Sequence, residues 1–145
     1  MFSPKMPSAD GARSVSSVRV LVVDDYEPFR RFIRWTLGKR PDLQVVGEAS
    51  DGLEAVQKAE ELQPGLIVLD LGLPTLNGIE AARRIRKFCP ECKILFLSQE
   101  SSADVVQKAL SLGALGYVVK VHAGNELLAA VEAVCRGRQF VGRGL

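Results

Sequence analysis

The chain has 145 residues, 47% of them hydrophobic and 25% charged, enough for one soluble domain with a proper core and too few for two. Its 19 basic and 17 acidic residues leave a formal charge of +2, too balanced to argue a nucleic-acid surface from electrostatics. No apolar run approaches a membrane span, and the opening MFSPKMPSADGARSVSS lacks the hydrophobic segment of a secretory signal, so a cytoplasmic protein with no membrane contact is expected.

Residues 1–17, rich in Ser, Gly, Pro and Ala and without apolar period, read as a disordered leader. From Val18, apolar runs of strand length alternate with amphipathic stretches of helix length. VRVLVV precedes EPFRRFIRWTL, LQVVGE precedes GLEAVQKAEEL, GLIVLD precedes NGIEAARRIRKF, CKILFL precedes SADVVQKALSL, and ALGYVV precedes NELLAAVEAVCRG. These five pairs define one domain over residues 18–137, followed by a tail at 138–145.

In the first helix, Phe29, Phe32, Ile33 and Leu37 form one apolar stripe, with Arg30, Arg31 and Arg34 turned largely away from it. Pro28 suits the first helical turn, where its missing N–H costs nothing. Ser101 or Ser102 can cap the fourth helix, and Leu128, Val131, Val134 and Cys135 make the stripe of the fifth. The runs VLVV, LIVL and ILFL are apolar on both faces, as central parallel strands covered by helices on each side must be. Strand and helix alternation with right-handed crossovers predicts a three-layer, doubly wound α/β domain, and five strands favour the flavodoxin-like order 2-1-3-4-5.

Cys89 and Cys92 have CxxC spacing, but there is no second such pair, the one histidine is His122, and Cys135 sits on another element. They read as reduced, small apolar residues at a helix end and a strand start. The arginines of the first and third helices, including Arg83, Arg84 and Arg86, read as solvated helix faces.

Such sheets bind ligands beyond the carboxyl ends of their strands, where the winding reverses, here between the first and third strands. The first strand ends in the adjacent acids Asp24 and Asp25, the third in Asp70. Three carboxylates at one place repel one another unless protonated or neutralised, and a hard cation such as Mg2+, which takes a few carboxylate oxygens and keeps several waters, removes that penalty. The fourth strand ends at Ser98 and the fifth at Lys120, so the same rim gains a hydroxyl and an ammonium.

VVDDYEP, VLDLGLPTLNG, FLSQE and GALGYVVK, in that order and at strand ends, make the chain from Val18 to Gly137 resemble a receiver domain of two-component response regulators. The wording is most similar to receivers that precede a LuxR-type helix-turn-helix domain, here without the DNA-binding part. The resemblance implies a signalling module rather than an enzyme. Asp70 would be the phosphoacceptor, served by a sensor histidine kinase. Asp25, Asp70 and the Gly72 carbonyl would ligate Mg2+, with Asp24 acting through water. Ser98 and Lys120 would bind the phosphoryl group, and Ser98 and Tyr117 would switch the surface of the fourth helix, fifth strand and fifth helix toward a downstream protein. It implies no nucleic-acid contact through this chain and leaves room for a phosphorylation-dependent homodimer. Gly72, Leu73, Pro74 and Gly78 would shape the loop after Asp70.

One departure from the family pattern is Val121, where receivers usually carry a proline after the site lysine behind a cis bond. A cis bond before a non-proline residue costs about 3 kcal/mol, so a trans bond and a somewhat altered lysine placement are expected. Rival readings are weaker. A haloacid-dehalogenase-type phosphohydrolase needs an acid where Gly72 stands, and a nucleotide or flavin binder needs a phosphate cradle where DDYEP is repulsive. A receiver-like interaction module that is never phosphorylated, or a fragment of a DNA-binding regulator, are the alternatives that share the fold.

Overall fold

The computed structural model describes residues 17–145, so the expected leader falls outside the described residues except for Ser17. Along the chain come β1 (Val18–Val23), α1 (Glu27–Leu37), β2 (Leu43–Ala49), α2 (Gly52–Leu62), β3 (Leu66–Leu69), α3 (Gly78–Phe88), β4 (Lys93–Ser98), α4 (Ala103–Ser111) and β5 (Gly116–Val119). A 3-10 turn at Lys120–His122 leads into α5 (Ala123–Cys135), and a short β6 (Phe140–Val141) follows. The strands form a single parallel sheet in the order β2-β1-β3-β4-β5-β6.

The expected order is therefore present with a sixth strand added to it, and the five-strand count is corrected. Gly137, with φ of 78°, turns the chain back after α5, in a left-handed conformation that suits glycine. Phe140 N–H then donates to the Leu115 carbonyl and Gly142 N–H to the Tyr117 carbonyl, both at 2.9 Å. Two residues carry too short an apolar signal to read as a strand, and the segment expected to be a tail supplies them.

Alternation along each strand splits the apolar content into two cores. Leu21, Val23, Ile67, Leu69, Ile94 and Phe96 face α2, α3 and α4. Val20, Val22, Leu66, Val68, Leu95 and Leu97 face Ile33 and Leu37 of α1 and Leu127, Val131 and Val134 of α5. Burial on both faces is why these runs carry no polar alternation. The α5 face centres on Leu127 and Ala130, while Leu128 and Cys135 are only partly buried.

Helix starts follow their caps. Pro28 lies in the first turn of α1. The side chains of Asp51, Asn77 and Ser102 accept from the N–H groups of Glu54, Glu80 and Val105, so Ser102 is the serine that caps α4. No helix among the described residues is long and apolar enough to cross a membrane.

The expectation of reduced thiols is also corrected, since Cys89 and Cys92 are joined by a disulfide and Cys135 alone is free. Pro90 and Glu91 turn the chain tightly between α3 and β4, with Cys92 N–H donating to the Cys89 carbonyl at 3.1 Å, which brings the two Cα atoms within 5.5 Å. Both sulfurs stay in the core.

Candidate functional site

β1 and β3 are neighbours in parallel register, Val23 opposite Leu69, so the residues just past them leave the sheet side by side. Asp70 N–H donates to the Val23 carbonyl and Asp24 N–H to the Ala49 carbonyl, each at 3.1 Å, carrying the ladder one step beyond the strands. Carboxylate oxygens of Asp24, Asp25 and Asp70 consequently lie within 4.8 Å of one another. Asp24 is 1% exposed and Asp70 6%, whereas Asp25 is open to solvent. A cleft of about 300 Å³ is lined by Asp25, Asp70, Gly72, Ser98, Glu100 and Lys120.

Lys120 enters from β5. Its Nζ lies 2.7 Å from Asp24 Oδ2, 3.1 Å from Asp70 Oδ2 and 4.6 Å above the Phe29 ring centre, a cation–π contact. The described chain has no cis peptide bond, so Lys120–Val121 is trans as expected, and the 3-10 turn there leaves Val121 81% exposed.

Burial pushes the Asp24 carboxyl above its usual range, and the charge of Asp70 adds to this, against the hydrogen bonds from Lys120 and Tyr26 N–H. Burial alone would lower Lys120, but its bonds and charge interactions with Asp24 and Asp70 outweigh it and raise the ammonium. The site is thus acid-rich, partly desolvated and short of positive charge.

Ser98 ends β4, buried, and its Oγ accepts from Glu100 N–H at 3.2 Å. Tyr117, beside Phe96 in the sheet, is fully buried, and its hydroxyl donates to the Glu100 carbonyl at 2.7 Å. Burial pushes the phenol up to about 12, with the Glu100 and Asp70 charges adding and a hydrogen bond with Ser98 opposing.

The loop after Asp70 is shaped by its small residues. A Cβ on Gly78 would collide with the Asp70 carbonyl oxygen, so only glycine lets α3 begin this close to the acid. Gly72 sits in open space, its N–H donating to Asp70 Oδ1 at 3.4 Å.

Arg30 does not lie on the solvated face expected of it, and this is a correction. Its side chain is only 15% exposed, with Nη1 donating to the Asp24 carbonyl at 2.6 Å and Nε to Glu48 Oε1 at 2.9 Å. Arg34 Nη1 reaches both oxygens of the same carboxylate, at 2.7 and 2.8 Å. The signal available was an acid inside β2 facing two arginines one helical turn apart. Arg31, Arg83 and Arg84 do lie on exposed faces, paired with Glu27 and Glu80 on their own helices.

Three clustered carboxylates form the hard oxygen donor set that a divalent cation such as Mg2+ takes, and a cation there would relieve the crowding that raises Asp24. The residues present fit that group, with Asp25 the most open of the three.

Comparison with known proteins places this geometry. A family model described as the response regulator receiver domain matches residues 20–132. The chain is 37% identical over 121 residues to the response regulator protein VraR of Staphylococcus aureus, covering 83% of this chain and 58% of that protein. It is 31% identical over 126 residues to the transcriptional regulatory protein DegU of Brevibacillus brevis, covering 87% of this chain and 53% of that one. The chain thus spans between half and three-fifths of the length of these curated relatives. Among solved structures, a two-component response regulator of the LuxR family from Aurantimonas sp. SI85-9A1 superposes with a TM-score of 0.82 at 38% identity, over 86% of this chain and 89% of that one.

Proposed function

The chain belongs to the response regulator receiver domain family, and from that premise we propose that it takes a phosphoryl group onto Asp70 from a phosphohistidine of a sensor histidine kinase. The observation that carries the reading is the convergence on Asp70 of the Lys120 ammonium at 3.1 Å and the carboxylates of Asp24 and Asp25.

An Asp70 carboxylate oxygen attacks phosphorus, the bond from phosphorus to the donor imidazole nitrogen breaks, and an acyl phosphate results. Such transfer runs on positioning and charge neutralisation, so the site needs cations more than a strong base. Asp25, Asp70 and the backbone carbonyl of Gly72 would hold Mg2+, with Asp24 acting through water. When bound, the metal neutralises phosphoryl oxygens and the acids around them. Lys120 supplies the second positive charge.

Ser98 Oγ bonds a phosphoryl oxygen once one is present, in place of its contact with Glu100 N–H. The loop beyond β4 then moves inward, and Tyr117, already buried with its hydroxyl on the Glu100 carbonyl, repacks with it. The phosphoryl group selects one of two packings of the α4-β5-α5 surface, which presents itself to a downstream protein.

Incubation with acetyl phosphate and Mg2+ is expected to add one phosphoryl group by intact mass, and Asp70→Asn to abolish it. An unchanged mass with acetyl phosphate and with a panel of phosphorylated kinases would support a receiver-like interaction module instead.

A further inference from the structure

Resting on that reading, we infer that Arg30 is a positioning residue for the cation site, holding the backbone at Asp24 so that the carboxylates following β1 point into the cleft. Of the arginines on α1, Arg31 projects into solvent, 68% exposed, and pairs only with Glu27. Arg30 instead spans two strands. Its Nη1 donates to the Asp24 carbonyl at 2.6 Å and its Nε to Glu48 Oε1 on β2 at 2.9 Å.

Glu48 is itself a fixed anchor. Arg34 Nη1 grips both of its oxygens, and Lys58 Nζ donates to its main-chain carbonyl at 2.6 Å. The guanidinium therefore transfers the rigidity of β2 and α1 to one peptide plane, that between Asp24 and Asp25. This plane is planar by resonance, so clamping the Asp24 oxygen also orients the N–H of Asp25 and the direction in which its chain departs. The Asp24 side chain is held from the other side by Tyr26 N–H at 2.8 Å and Lys120 at 2.7 Å. Asp25 has no comparable restraint of its own and depends on this backbone clamp. Mg2+ demands near-octahedral oxygen geometry, so a loosely aimed ligand lowers affinity even when every donor is present. Groups that orient metal ligands are worth roughly 10–100-fold in affinity when removed.

The sign of the effect separates positioning from plain electrostatics. Arg30 adds positive charge beside a cation site, so by Coulomb's law alone its removal would tighten Mg2+ binding. A positioning role demands the reverse. A purely structural role would lower the melting temperature of the metal-free protein and leave the affinity of the folded fraction unchanged.

The test is calorimetric titration of the full chain with Mg2+, wild type against Arg30→Met and Arg30→Lys, beside thermal melts in chelator. Arg30→Met is expected to weaken Mg2+ binding roughly tenfold, with the acetyl phosphate reaction restored toward the wild-type rate at saturating Mg2+. Arg30→Lys, which keeps the charge but lacks the fork that joins two acceptors, is expected to fall between them. A folded Arg30→Met protein that binds Mg2+ as well as wild type or better overturns the inference, as does a rate that saturating Mg2+ leaves depressed. Should Arg30→Met lack a cooperative melt, Glu48→Gln decides. Loosening the anchor is expected to weaken Mg2+ binding several-fold, and unchanged affinity overturns the inference. Wild-type protein that binds no Mg2+ overturns the phosphoryl-transfer reading along with it.

Discussion

The Lys120 ammonium lies 2.7 Å from the Asp24 carboxylate, nearer than to Asp70, in a pair whose acid is 1% exposed and whose lysine side chain is 14% exposed. Removing the lysine strands a buried acid whose carboxyl is already raised by burial. Breaking a buried pair from one side costs several kcal/mol, mostly as the penalty on the partner left behind. Lys120→Met is therefore expected to destabilise the metal-free protein by about 2–4 kcal/mol, roughly a 10 °C fall in melting temperature for a domain of this size. Adding Asp24→Asn to Lys120→Met is expected to recover half or more of that loss, because the orphaned charge is gone. Thermal melts of wild type, both single variants and the double variant in chelator at neutral pH measure this. A double variant no more stable than Lys120→Met would show that the lysine acts by packing alone.

Two groups make the fold sensitive to alkali. The Tyr117 phenol is pushed up from 10.0 to about 12 by its burial, and Lys120 is raised because its acidic partners outweigh burial. In both cases the native state keeps a proton that the unfolded chain releases, so stability is present in full below the unfolded values and falls as pH rises above 10. The tyrosine contribution, lost progressively between pH 10 and about 12, amounts to roughly 2–3 kcal/mol. Difference titration of wild type against Tyr117→Phe near 295 nm is expected to isolate one phenol with a midpoint near 12. A midpoint near 10 would mean that the ring is hydrated in solution.

Thr75 occupies a left-handed backbone conformation, φ of 68°, in the tight turn where Leu76 N–H donates to the Pro74 carbonyl at 2.7 Å. A β-branched residue is strained there, by about 1–2 kcal/mol, and Thr75 is exposed. Thr75→Gly is expected to raise stability by about 0.5–1 kcal/mol after the entropy cost of the added glycine. Urea melts should show a higher midpoint with an unchanged slope. A lower midpoint would place the threonine in a contact that outweighs the strain.

What the sequence made legible follows from where its signals come from. The order β2-β1-β3-β4-β5 was readable because both faces of the central strands are buried, which writes continuous apolar runs such as LIVL into the chain. The meeting of Asp24, Asp25 and Asp70 was readable because a parallel sheet brings its strand ends to one rim. β6 was not, since backbone pairing of Phe140 and Val141 leaves almost no trace in two side chains. The disulfide depended on how tightly Pro90 and Glu91 turn, which spacing does not state. The place of Arg30 is not legible, because helical periodicity says which face a residue is on, but not that a long side chain can fold back over the helix end to a backbone oxygen just past the preceding strand.

Glu100 links the two residues proposed to switch, because its N–H donates to Ser98 Oγ and its carbonyl accepts from the Tyr117 hydroxyl. One peptide unit on each side of Glu100 is thus tied to β4 and β5, and the loop into α4 is held in place by these two bonds. Tyr117→Phe removes one while keeping the ring against Phe96, at a cost of about 1 kcal/mol. If the tie holds the loop, amide hydrogen exchange at Gln99 to Ser102 should quicken by about fivefold, while that of the β1 and β3 cores stays unchanged. Because the loop is then freer to close over a phosphoryl group, Tyr117→Phe should also label with acetyl phosphate at least as fast as wild type. Exchange that quickens equally across the sheet would mean the hydroxyl supports the whole fold rather than this loop, and slower labelling would mean that the closed packing needs the Tyr117 hydroxyl on the Glu100 carbonyl, where it lies here.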